Sequence, residues 1–349
     1  METRIIRINE HNPEPELIME GARYIKKGKL VAFPTETVYG LGANGLNEEA
    51  VRKIFAAKGR PQDNPLILHI SKISEIKPLV KSIPKEAEIL MEEFWPGPLT
   101  IIFERSSLVP DVITAGIDTV AIRMPNHPVA LELIEASGVP IAAPSANTSG
   151  KPSPTLAEHV IKDLYGKIDM IIDGGATGVG LESTVLDLTG DVPMILRPGG
   201  ITLEAIKYFI PNVEMDLSII SSSDKIIPKS PGQKYRHYAP NADMIVFTGN
   251  IENIVEAIRN KAKEYVDSGK SVGIMATDET KNRYDEGIVI SIGSRRNKGT
   301  IAHNLFNALR QFDELGVDII LSEGVETGSI GTAIMNRLKK SSGGNIIEV

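Results

Sequence analysis

Lys58 and Arg60 are the residues whose types and spacing point most directly to chemistry. They stand two positions apart at the C-terminal end of a predicted helix, and Arg60 directly precedes Pro61. Because a proline favours an extended backbone in the residue before it, both cations are expected to project toward one polyanion. Arginine suits bidentate contact with a phosphate, and lysine acts as a point charge. The alternative is that both residues only stabilise the dipole at the helix C-terminus.

Arg123 is a second candidate, because it stands inside the apolar segment Thr119-Val-Ala-Ile-Arg-Met. A buried arginine almost always has an anionic partner, since removing an unpaired charge from water is costly. The partner is either a carboxylate of the protein itself or the carboxylate of a substrate. The residues alone leave both interpretations open.

Hydroxyl and amide side chains follow a predicted strand in the loop that contains Ala143, Ser145, Asn147 and Ser153. Ligands bind at strand ends in open α/β sheets, and small residues let a ligand approach the backbone. A simple Ser/Asn turn would have the same composition. The loop is therefore a candidate binding segment that its own sequence does not settle.

Three other places carry weaker signals. The segment Glu182-Ser183-Thr184 opens one predicted strand, and Arg197 ends another. His69 lies in an apolar run, where the default interpretation is a histidine satisfied within the core. None of these signals decides a function alone.

The segment Gly40-Leu-Gly42-Ala-Asn-Gly45 matches the GxGxxG pattern of dinucleotide-binding turns. Its context fits poorly, because Pro34 interrupts the preceding strand and no acidic ribose ligand ends the next one. We therefore predict a tight loop where the backbone closely approaches another group.

The sequence has no GxxxxGKS/T, HExxH or GxSxG motif. An enzyme built on this chain would thus work by positioning and electrostatics.

The length of 349 residues favours two domains. In the first half, helices and strands mix without strict alternation, which predicts an α/β fold with a mixed sheet. The predicted helices cover 15–28, 47–59, 84–95, 128–137 and 201–209, and the predicted strands 30–34, 65–70, 99–104, 118–124, 139–145, 168–175 and 183–188.

The second half has a different organisation. Residues 211–240 are rich in Ser, Pro and Lys without apolar periodicity, which predicts a linker or an ordered loop. After them, strands alternate with helices at 251–267, 299–314 and 331–340, which predicts a small doubly wound α/β domain. The predicted division is therefore 1–210, 211–240 and 241–349.

Composition excludes several functional classes. The absence of cysteine excludes disulfides, Cys-ligated metal centres and thiol nucleophiles. The formal net charge of −7 argues against a broad basic surface for nucleic acid, though not against a local basic cavity. The first residues form no secretory signal, and no apolar run approaches the ~20 residues of a membrane span. We expect a soluble, cytoplasmic protein without membrane contact.

Taken together, seven segments resemble the YrdC/Sua5 family. They are FPTETVYGLG (33–42), KGRPQDNPL (58–66), WPGPLT (95–100), TVAIRMP (119–125), APSANTSGKPSPT (143–155), EST (182–184) and RPG (197–199). The pairing of Lys58 and Arg60 with Ser145 and Asn147 is the characteristic combination of this family. SPGQKYRHYAP (230–240) resembles the linker motif of the longer, two-domain Sua5 type. The resemblance spans nearly the whole chain.

The resemblance implies an N-terminal YrdC-like α/β domain with a twisted mixed sheet and a concave basic face, and a smaller Rossmann-like Sua5 domain. It implies synthesis of L-threonylcarbamoyladenylate and pyrophosphate from L-threonine, bicarbonate or CO2, and ATP with Mg²⁺. The product would serve N6-threonylcarbamoyladenosine formation at position 37 of tRNAs reading ANN codons. A partner complex would perform that transfer, so tRNA contact by this chain is not required.

The resemblance also implies roles for individual residues. Lys58 and Arg60 would stabilise the transferring phosphoryl group. ATP or the adenylate would be bound by Lys58, Arg60, Thr119, Ser145, Asn147, Ser153, Arg197 and Tyr235. Threonine would be bound by Thr35, Thr37, Asn64, His69, Arg123, Ala143 and Ser183. This assignment replaces the default interpretation of His69 and favours the substrate clamp for Arg123.

Two other functions remain as alternatives: a nucleotide- or RNA-binding regulator of YrdC type without catalysis, and an NAD-type dehydrogenase.

Residues 211–240 are too long for a simple connector. They place Tyr235 and Tyr238 among several cations, which suits contact with an anionic nucleotide. We predict that this segment covers the ATP site and excludes water, with a disordered spacer as the alternative.

Overall fold

The computed structural model of the chain describes residues 1–216, Ile219 and 237–349. By their internal contacts these residues form two compact units: residues 1–149 with 153–216, and residues 237–349 with Gly150–Pro152. Within these ranges, every helix is too short or too polar to span a bilayer. Most of the segment 211–240, including Tyr235, lies outside the described residues, so its covering role stays a prediction.

An eleven-stranded mixed sheet forms the centre of the first unit, in the order β1-β8-β2-β3-β7-β4-β6-β5-β9-β10-β11. Parallel pairs such as β4–β6 stand beside antiparallel pairs such as β5–β6, which confirms the predicted mixed sheet. The elements are β1 (Arg4–Arg7), α1 (Pro15–Lys26), β2 (Val31–Phe33), β3 (Gly40–Asn44), α2 (Glu48–Lys58), β4 (Ile67–His69), α3 (Lys85–Phe94), β5 (Leu99–Glu104), α4 (Asp111–Thr114), β6 (Thr119–Arg123), α5 (Pro128–Ser137), β7 (Ile141–Ala142), α6 (Ala157–Leu164), β8 (Met170–Asp173), β9 (Thr184–Asp187), β10 (Met194–Arg197), α7 (Leu203–Phe209) and β11 (Glu214–Met215).

Helix α2 has the boundaries that its sequence predicts. The side chain of Asn47 accepts a hydrogen bond from the Ala50 amide at 3.1 Å and so caps the N-terminus. Gly59 ends the helix in the left-handed conformation with a φ of 62°, which glycine adopts without steric cost. The helix therefore holds Lys58 as its last residue and turns the chain before Arg60.

The central strands have one face in the core and one face that carries the candidate residues. Leu68, Ile101 and Ile122 belong to the largest hydrophobic cluster, together with apolar residues of α2 and α3. Side chains alternate between the two faces of a strand, so His69 and Arg123 point to the opposite face. We call this opposite face, which carries Ile67, His69, Thr119, Ala121 and Arg123, the site face.

The glycine-rich segment is not the predicted loop. Gly40–Asn44 forms β3, which pairs antiparallel with β2 and β7. A Cβ on Gly42 would lie 2.8 Å from the Phe33 side chain, and a Cβ on Gly45 would lie 2.5 Å from Leu68. The predicted close approach is therefore real, but neighbouring side chains of the sheet make it. Because Gly40 and Gly42 lie within a strand, the segment is not a dinucleotide-binding turn.

The second unit contains a five-stranded parallel sheet in the order β14-β13-β15-β12-β16. Strands alternate with helices, as predicted. The fully buried Glu323 at the end of β15 accepts hydrogen bonds from Thr277 and Tyr284 at 2.9 and 2.6 Å, and pairs with Arg295 at 2.9 Å. The elements are β12 (Asp243–Thr248), α8 (Ile251–Asp267), β13 (Val272–Ala276), β14 (Ile288–Ser291), α9 (Lys298–Leu315), β15 (Ile319–Glu323), α10 (Ile330–Ser341) and β16 (Ile346–Glu348).

Candidate functional site

Neighbouring strands place the candidate residues in one row across the site face. His69 on β4 is the register partner of Arg123 on β6, and Arg123 is the register partner of Thr100 on β5. Register partners point to the same side of a sheet, so these side chains lie next to one another. Thr119 lies on the same face at the start of β6. The face also carries a small apolar cluster of Ile67, Ile102, Ala121, Val185 and Leu196.

Arg123 is almost fully buried and has three partners within the protein. Its Nη1 donates a hydrogen bond to the hydroxyl of Thr37 at 2.9 Å, and its Nε donates to the Gly97 carbonyl at 3.2 Å. Its Nη2 lies 2.6 Å from Oε1 of Glu36, which forms an ion pair. Of the two interpretations that the sequence leaves open, the intramolecular ion pair is thus present in the described structure.

The segment Thr35–Thr37 forms one wall of the site next to Arg123. The Thr35 hydroxyl donates to the Val38 carbonyl at 2.6 Å and lies 2.9 Å from the hydroxyl of Thr37. A hydroxyl has one hydrogen, so Thr37 must donate to Thr35 while it accepts from Arg123. This chain of hydrogen bonds fixes the Thr37 hydroxyl and holds the Arg123 guanidinium in place.

His69 is buried in the site face and is neutral. Burial, and after it the adjacent positive charge of Arg123, lower the pKa of its imidazole to about 3. Its Nδ1 accepts or donates no hydrogen bond among the described residues. The default of a core histidine with satisfied nitrogens therefore does not hold, and Nδ1 is available to a neutral hydrogen-bonding group of a ligand.

Lys58 connects the two motifs that the sequence singled out. Its side chain is only 2% exposed, and its ammonium donates to the carbonyl oxygens of Ser145 and Asn147. It also lies 3.3 Å from Oδ1 of Asn147, which accepts a hydrogen bond from the Ser145 hydroxyl at 2.6 Å. Lys58 therefore shapes the loop from Ser145 to Asn147 with a buried positive charge.

Lys58 and Arg60 do not belong to one extended segment, so this local prediction of the backbone is wrong. Helix α2 continues through Lys58, and the left-handed Gly59 turns the chain. Arg60 is half-buried, and its Nη2 donates to the carbonyl oxygens of Asn64 and Pro65 at 3.3 and 3.2 Å. The proline restricts only Arg60, whereas the helix and its glycine cap decide the direction of Lys58.

Two further predicted residues contact each other directly. Arg197 donates from Nε to the Ser183 carbonyl and from Nη2 to the Ser183 hydroxyl, both at 3.1 Å. The Ser183 hydroxyl also lies 2.7 Å from the hydroxyl of the fully buried Thr100. Arg197, which is predicted to bind ATP, therefore orients Ser183, which is predicted to bind threonine.

The remaining predicted residues lie around the same strand ends. Ala143 follows β7, and its amide donates to the Ile67 carbonyl at 3.1 Å. Asn64 is buried just before β4. The Ser153 hydroxyl donates to Oε1 of Glu182 at 2.5 Å. Tyr235 lies outside the described residues, so its predicted role is untested.

Several buried polar atoms of the site lack a hydrogen-bond partner among the described residues. They are Oδ1 of Asn64, Nδ1 of His69, Oγ1 of Thr119 and Oε2 of Glu36, whereas Oε1 of Glu36 has only the ion pair with Arg123. Buried polar groups are normally hydrogen-bonded, so each such group calls for a specific explanation. A polar ligand on the site face would partner these atoms, which makes this face the candidate binding site.

Sequence reasoning missed Glu36 and Thr100 as site residues. Glu36 stands between two predicted threonine ligands, and a charged residue between two polar ones directly after a buried strand was a usable signal. Thr100 was a polar residue in the apolar run Leu99–Glu104. Its importance depends on its neighbour Ser183, which is 83 residues away in the chain.

Replacing Lys58 with methionine is expected to destabilise the protein by about 3 kcal/mol, because two buried carbonyl oxygens lose their donor. Urea unfolding measures this change. The matched control is Lys53→Met on the same helix, where an exposed lysine donates to one carbonyl, that of Gly28. Equal losses in the two variants would show that Lys58 does not organise the loop.

The low pKa of His69 predicts acid-sensitive stability. Between its folded pKa of about 3 and its ordinary value of 6.5, the unfolded chain binds a proton that the folded chain does not. Stability therefore falls as the pH drops below 6.5. Between about pH 7.5 and about pH 5, the wild type should lose about 2 kcal/mol more than His69→Gln in chemical unfolding. The exposed His11→Gln should behave like the wild type, and identical losses in all three proteins would contradict the prediction.

Comparisons with known proteins match both halves of the chain. The family model described as Telomere recombination, the Sua5/YciO/YrdC domain, matches residues 23–199. The model described as Threonylcarbamoyl-AMP synthase, C-terminal domain, matches residues 201–343. The two matches together cover most of the chain in the order that the motifs indicate.

Full-length relatives share one name. The chain is 52% identical to a Pyrococcus abyssi protein named Threonylcarbamoyl-AMP synthase, over 99% of this chain and 100% of that protein. It is 51% identical to a Bacillus subtilis protein of the same name, over 95% of this chain and 94% of that protein. The crystal structure of P. abyssi Sua5 complexed with L-threonine matches with a TM-score of 0.95 at 51% identity, over 99% of this chain and 100% of that one.

Proposed function

The chain belongs to the Sua5/YciO/YrdC family, and from this membership we propose that it is an L-threonylcarbamoyladenylate synthase. In this role it is a nucleotidyltransferase that uses L-threonine, bicarbonate or CO2, and ATP. The observation that carries the proposal is the 52% identity over 99% of the chain to a protein named Threonylcarbamoyl-AMP synthase. The buried, unpartnered polar atoms around Arg123 support it, because they suit a small polar substrate.

The proposed reaction has two bond-forming steps. The amine of threonine attacks CO2 and loses a proton, which gives a carbamate. A carbamate oxygen then attacks the α-phosphorus of ATP, and the bond from this phosphorus to the pyrophosphate oxygen breaks. Negative charge develops on the phosphoryl oxygens, so positioned cations accelerate the second step.

On the threonine side, Arg123 is the proposed partner of the substrate carboxylate. Its guanidinium is held by Thr37 and Gly97, so it is oriented before substrate arrives. His69 is neutral and offers Nδ1 to a substrate hydroxyl. The other residues proposed to bind threonine are Thr35, Thr37, Asn64, Ala143 and Ser183.

On the nucleotide side, Arg60 is proposed to contact the phosphoryl oxygens. Lys58 contributes a positive charge and holds the loop from Ser145 to Asn147. The apolar cluster on the site face offers a surface for the adenine ring. The other residues proposed to bind ATP or the adenylate are Thr119, Ser145, Asn147, Ser153, Arg197 and Tyr235.

Mg²⁺ is proposed to enter with ATP, where it would neutralise charge on the pyrophosphate leaving group. Among the described residues, no three His, Asp or Glu side chains are grouped as metal ligands. Ligands from the phosphates of ATP therefore fit this site better than a cluster of side chains. Lys58 and Arg60 would then neutralise the negative charge of the ATP phosphates that Mg²⁺ does not neutralise.

The product is proposed to pass to the complex that transfers the threonylcarbamoyl group to tRNA. This places the protein in the cytoplasm and requires no tRNA contact by the chain itself. A net charge of −7 is consistent with a protein that makes the intermediate but leaves tRNA binding to a separate complex. We propose residues 1–210 as the catalytic domain and 241–349 as a separate C-terminal domain.

Release of pyrophosphate tests the proposal directly. The full chain with ATP and Mg²⁺ should release pyrophosphate only when both L-threonine and bicarbonate are present. Mass spectrometry should then detect L-threonylcarbamoyladenylate in the same reaction. A chain that binds ATP but releases no pyrophosphate in the complete mixture would be the nucleotide-binding regulator instead.

A further inference from the structure

Glu36 has an unusual environment for a carboxylate. Its side chain is 12% exposed, and both of its oxygens are buried. Oε1 lies 2.6 Å from Nη2 of Arg123, but neither oxygen accepts a hydrogen bond from any described residue. A buried carboxylate has about four acceptor positions, and their desolvation is costly when no donor fills them. The carboxylate is therefore suited to bind a further hydrogen-bond donor.

The backbone around Glu36 is held in place, so the position of this carboxylate is set by the fold. The Glu36 carbonyl accepts from the Val179 amide at 2.7 Å, and the Thr37 carbonyl accepts from the Gly180 amide at 3.1 Å. The flanking residues Thr35 and Thr37 are hydrogen-bonded to each other through their hydroxyl groups, and the Thr35 hydroxyl also donates to the Val38 carbonyl. Only rotation of the Glu36 side chain remains to change its contacts.

Charge balance restricts which ligands Arg123 can accept. A ligand carboxylate that binds the guanidinium competes with Glu36, because Nη2 cannot serve both at full strength. A simple carboxylic acid would thereby leave Glu36 buried, charged and without a cation, which is strongly unfavourable. A ligand with an ammonium group next to its carboxylate removes this penalty, since the ammonium can donate to Glu36.

The other ionisable groups near Glu36 do not supply that cation. His127 interacts electrostatically with Glu36, and it is buried at the start of α5. Burial lowers its pKa, so near neutral pH it carries little positive charge. The carboxylates of Glu10 and the ring of His11 act on His127 from outside and add no cation next to Glu36.

We propose that Glu36 binds the α-ammonium group of the amino-acid substrate and makes this site selective for zwitterions over simple carboxylates. This inference rests on the proposed function, in which L-threonine is the substrate. Glu36 and Arg123 then form a pair that is exchanged on binding: Arg123 takes the ligand carboxylate, and Glu36 takes the ligand ammonium. The ammonium gives one proton to water before the amine attacks CO2, and Glu36 then accepts a hydrogen bond from the amine and positions it.

Calorimetry with two ligands tests the proposal. L-Threonine carries both charged groups, whereas 3-hydroxybutyrate has the same skeleton without the amine. The wild type should prefer L-threonine strongly, and Glu36→Gln should reduce this preference by about tenfold to hundredfold, the effect of one charged hydrogen bond. Glu36→Asp keeps the charge and should keep most of the preference. An unchanged preference in Glu36→Gln would overturn the proposal.

A matched control is Glu20→Gln, which removes the carboxylate from another pair of a glutamate with a strand arginine, Arg4–Glu20 at 2.8 Å. It should bind both ligands as the wild type does. The wild type alone offers a second test that does not depend on the folding of any variant: equal dissociation constants for the two ligands would overturn the proposal. A wild type that binds no L-threonine at all would overturn the proposed function as well, which separates the two failures.

Discussion

Replacing Arg60 with alanine is expected to lower kcat by about 10²–10³ at saturating substrates, the usual cost of one group that stabilises transition-state charge. The half-buried side chain lies beside the turn to Asn64, two residues after Lys58. In the proposed role, its loss removes a cation from the phosphoryl group at the point where charge develops. Initial rates of pyrophosphate release measure the effect.

Arg60 also ties the turn that contains Asn64 and Pro65, so a structural role needs to be separated from a catalytic one. Arg60→Lys keeps the positive charge but lacks the planar guanidinium group, and it should retain more activity than Arg60→Ala. The control is Arg52→Ala on α2, where an exposed arginine pairs with Glu48 at 3.5 Å and donates to the Gln62 side chain at 3.1 Å. This control should change the rate by less than about twofold, since exposed pairs contribute little. A wild-type rate in Arg60→Ala, together with a lower unfolding free energy, would assign Arg60 to the turn alone.

Replacing Arg123 with alanine is expected to raise the threonine KM by about a hundredfold or more, because a desolvated charge pair with the substrate carboxylate is lost. The ATP KM should change by less than about threefold, since only threonine brings a carboxylate to this strand. Steady-state kinetics with each substrate varied in turn measure both values. Equal increases in the two KM values would mean that Arg123 serves only as a structural ion pair.

The ion pair with Glu36 adds a second consequence of the Arg123 substitution. Glu36 would be left buried and unpaired, so Arg123→Ala should also lower the unfolding free energy. Arg4→Ala is the matched control, because it removes a strand arginine from a glutamate in the same unit. It should leave the threonine KM unchanged. A rise in threonine KM that is confined to Arg123→Ala therefore reports substrate binding.

Local sequence signals predicted the elements whose first and last residues are set by capping residues within a few positions. Asn47 and Gly59 delimit α2 because a side-chain cap and a left-handed glycine act within a few residues. The predictions missed β1 and α6. β1 is an edge strand with only one buried residue, and α6 begins without a side-chain cap. A short element without local boundary signals depends on tertiary contacts for its existence.

The glycine pattern shows where a local interpretation failed for a physical reason. Glycine permits tight turns, and it equally permits neighbouring side chains to approach the backbone. The sequence could not distinguish these cases, because Phe33 and Leu68, which occupy the space beside Gly42 and Gly45, come from other strands. Only strand pairing decided that the segment is β3.

The sequence by itself determined the motifs, their order and the kinds of chemistry that their residues permit. A lysine, two arginines and a hydroxyl-rich loop permitted an anionic ligand, but each also had a purely structural interpretation. The tertiary structure decided their partners: Lys58 donates to the loop at Ser145 and Asn147, and Arg123 contacts Thr37, which is 86 residues away in the chain. Such contacts follow from strand register, which depends on packing of the whole sheet. The pairing of Arg123 with Glu36 likewise exists only because β6 and the segment that follows β2 meet in the folded chain.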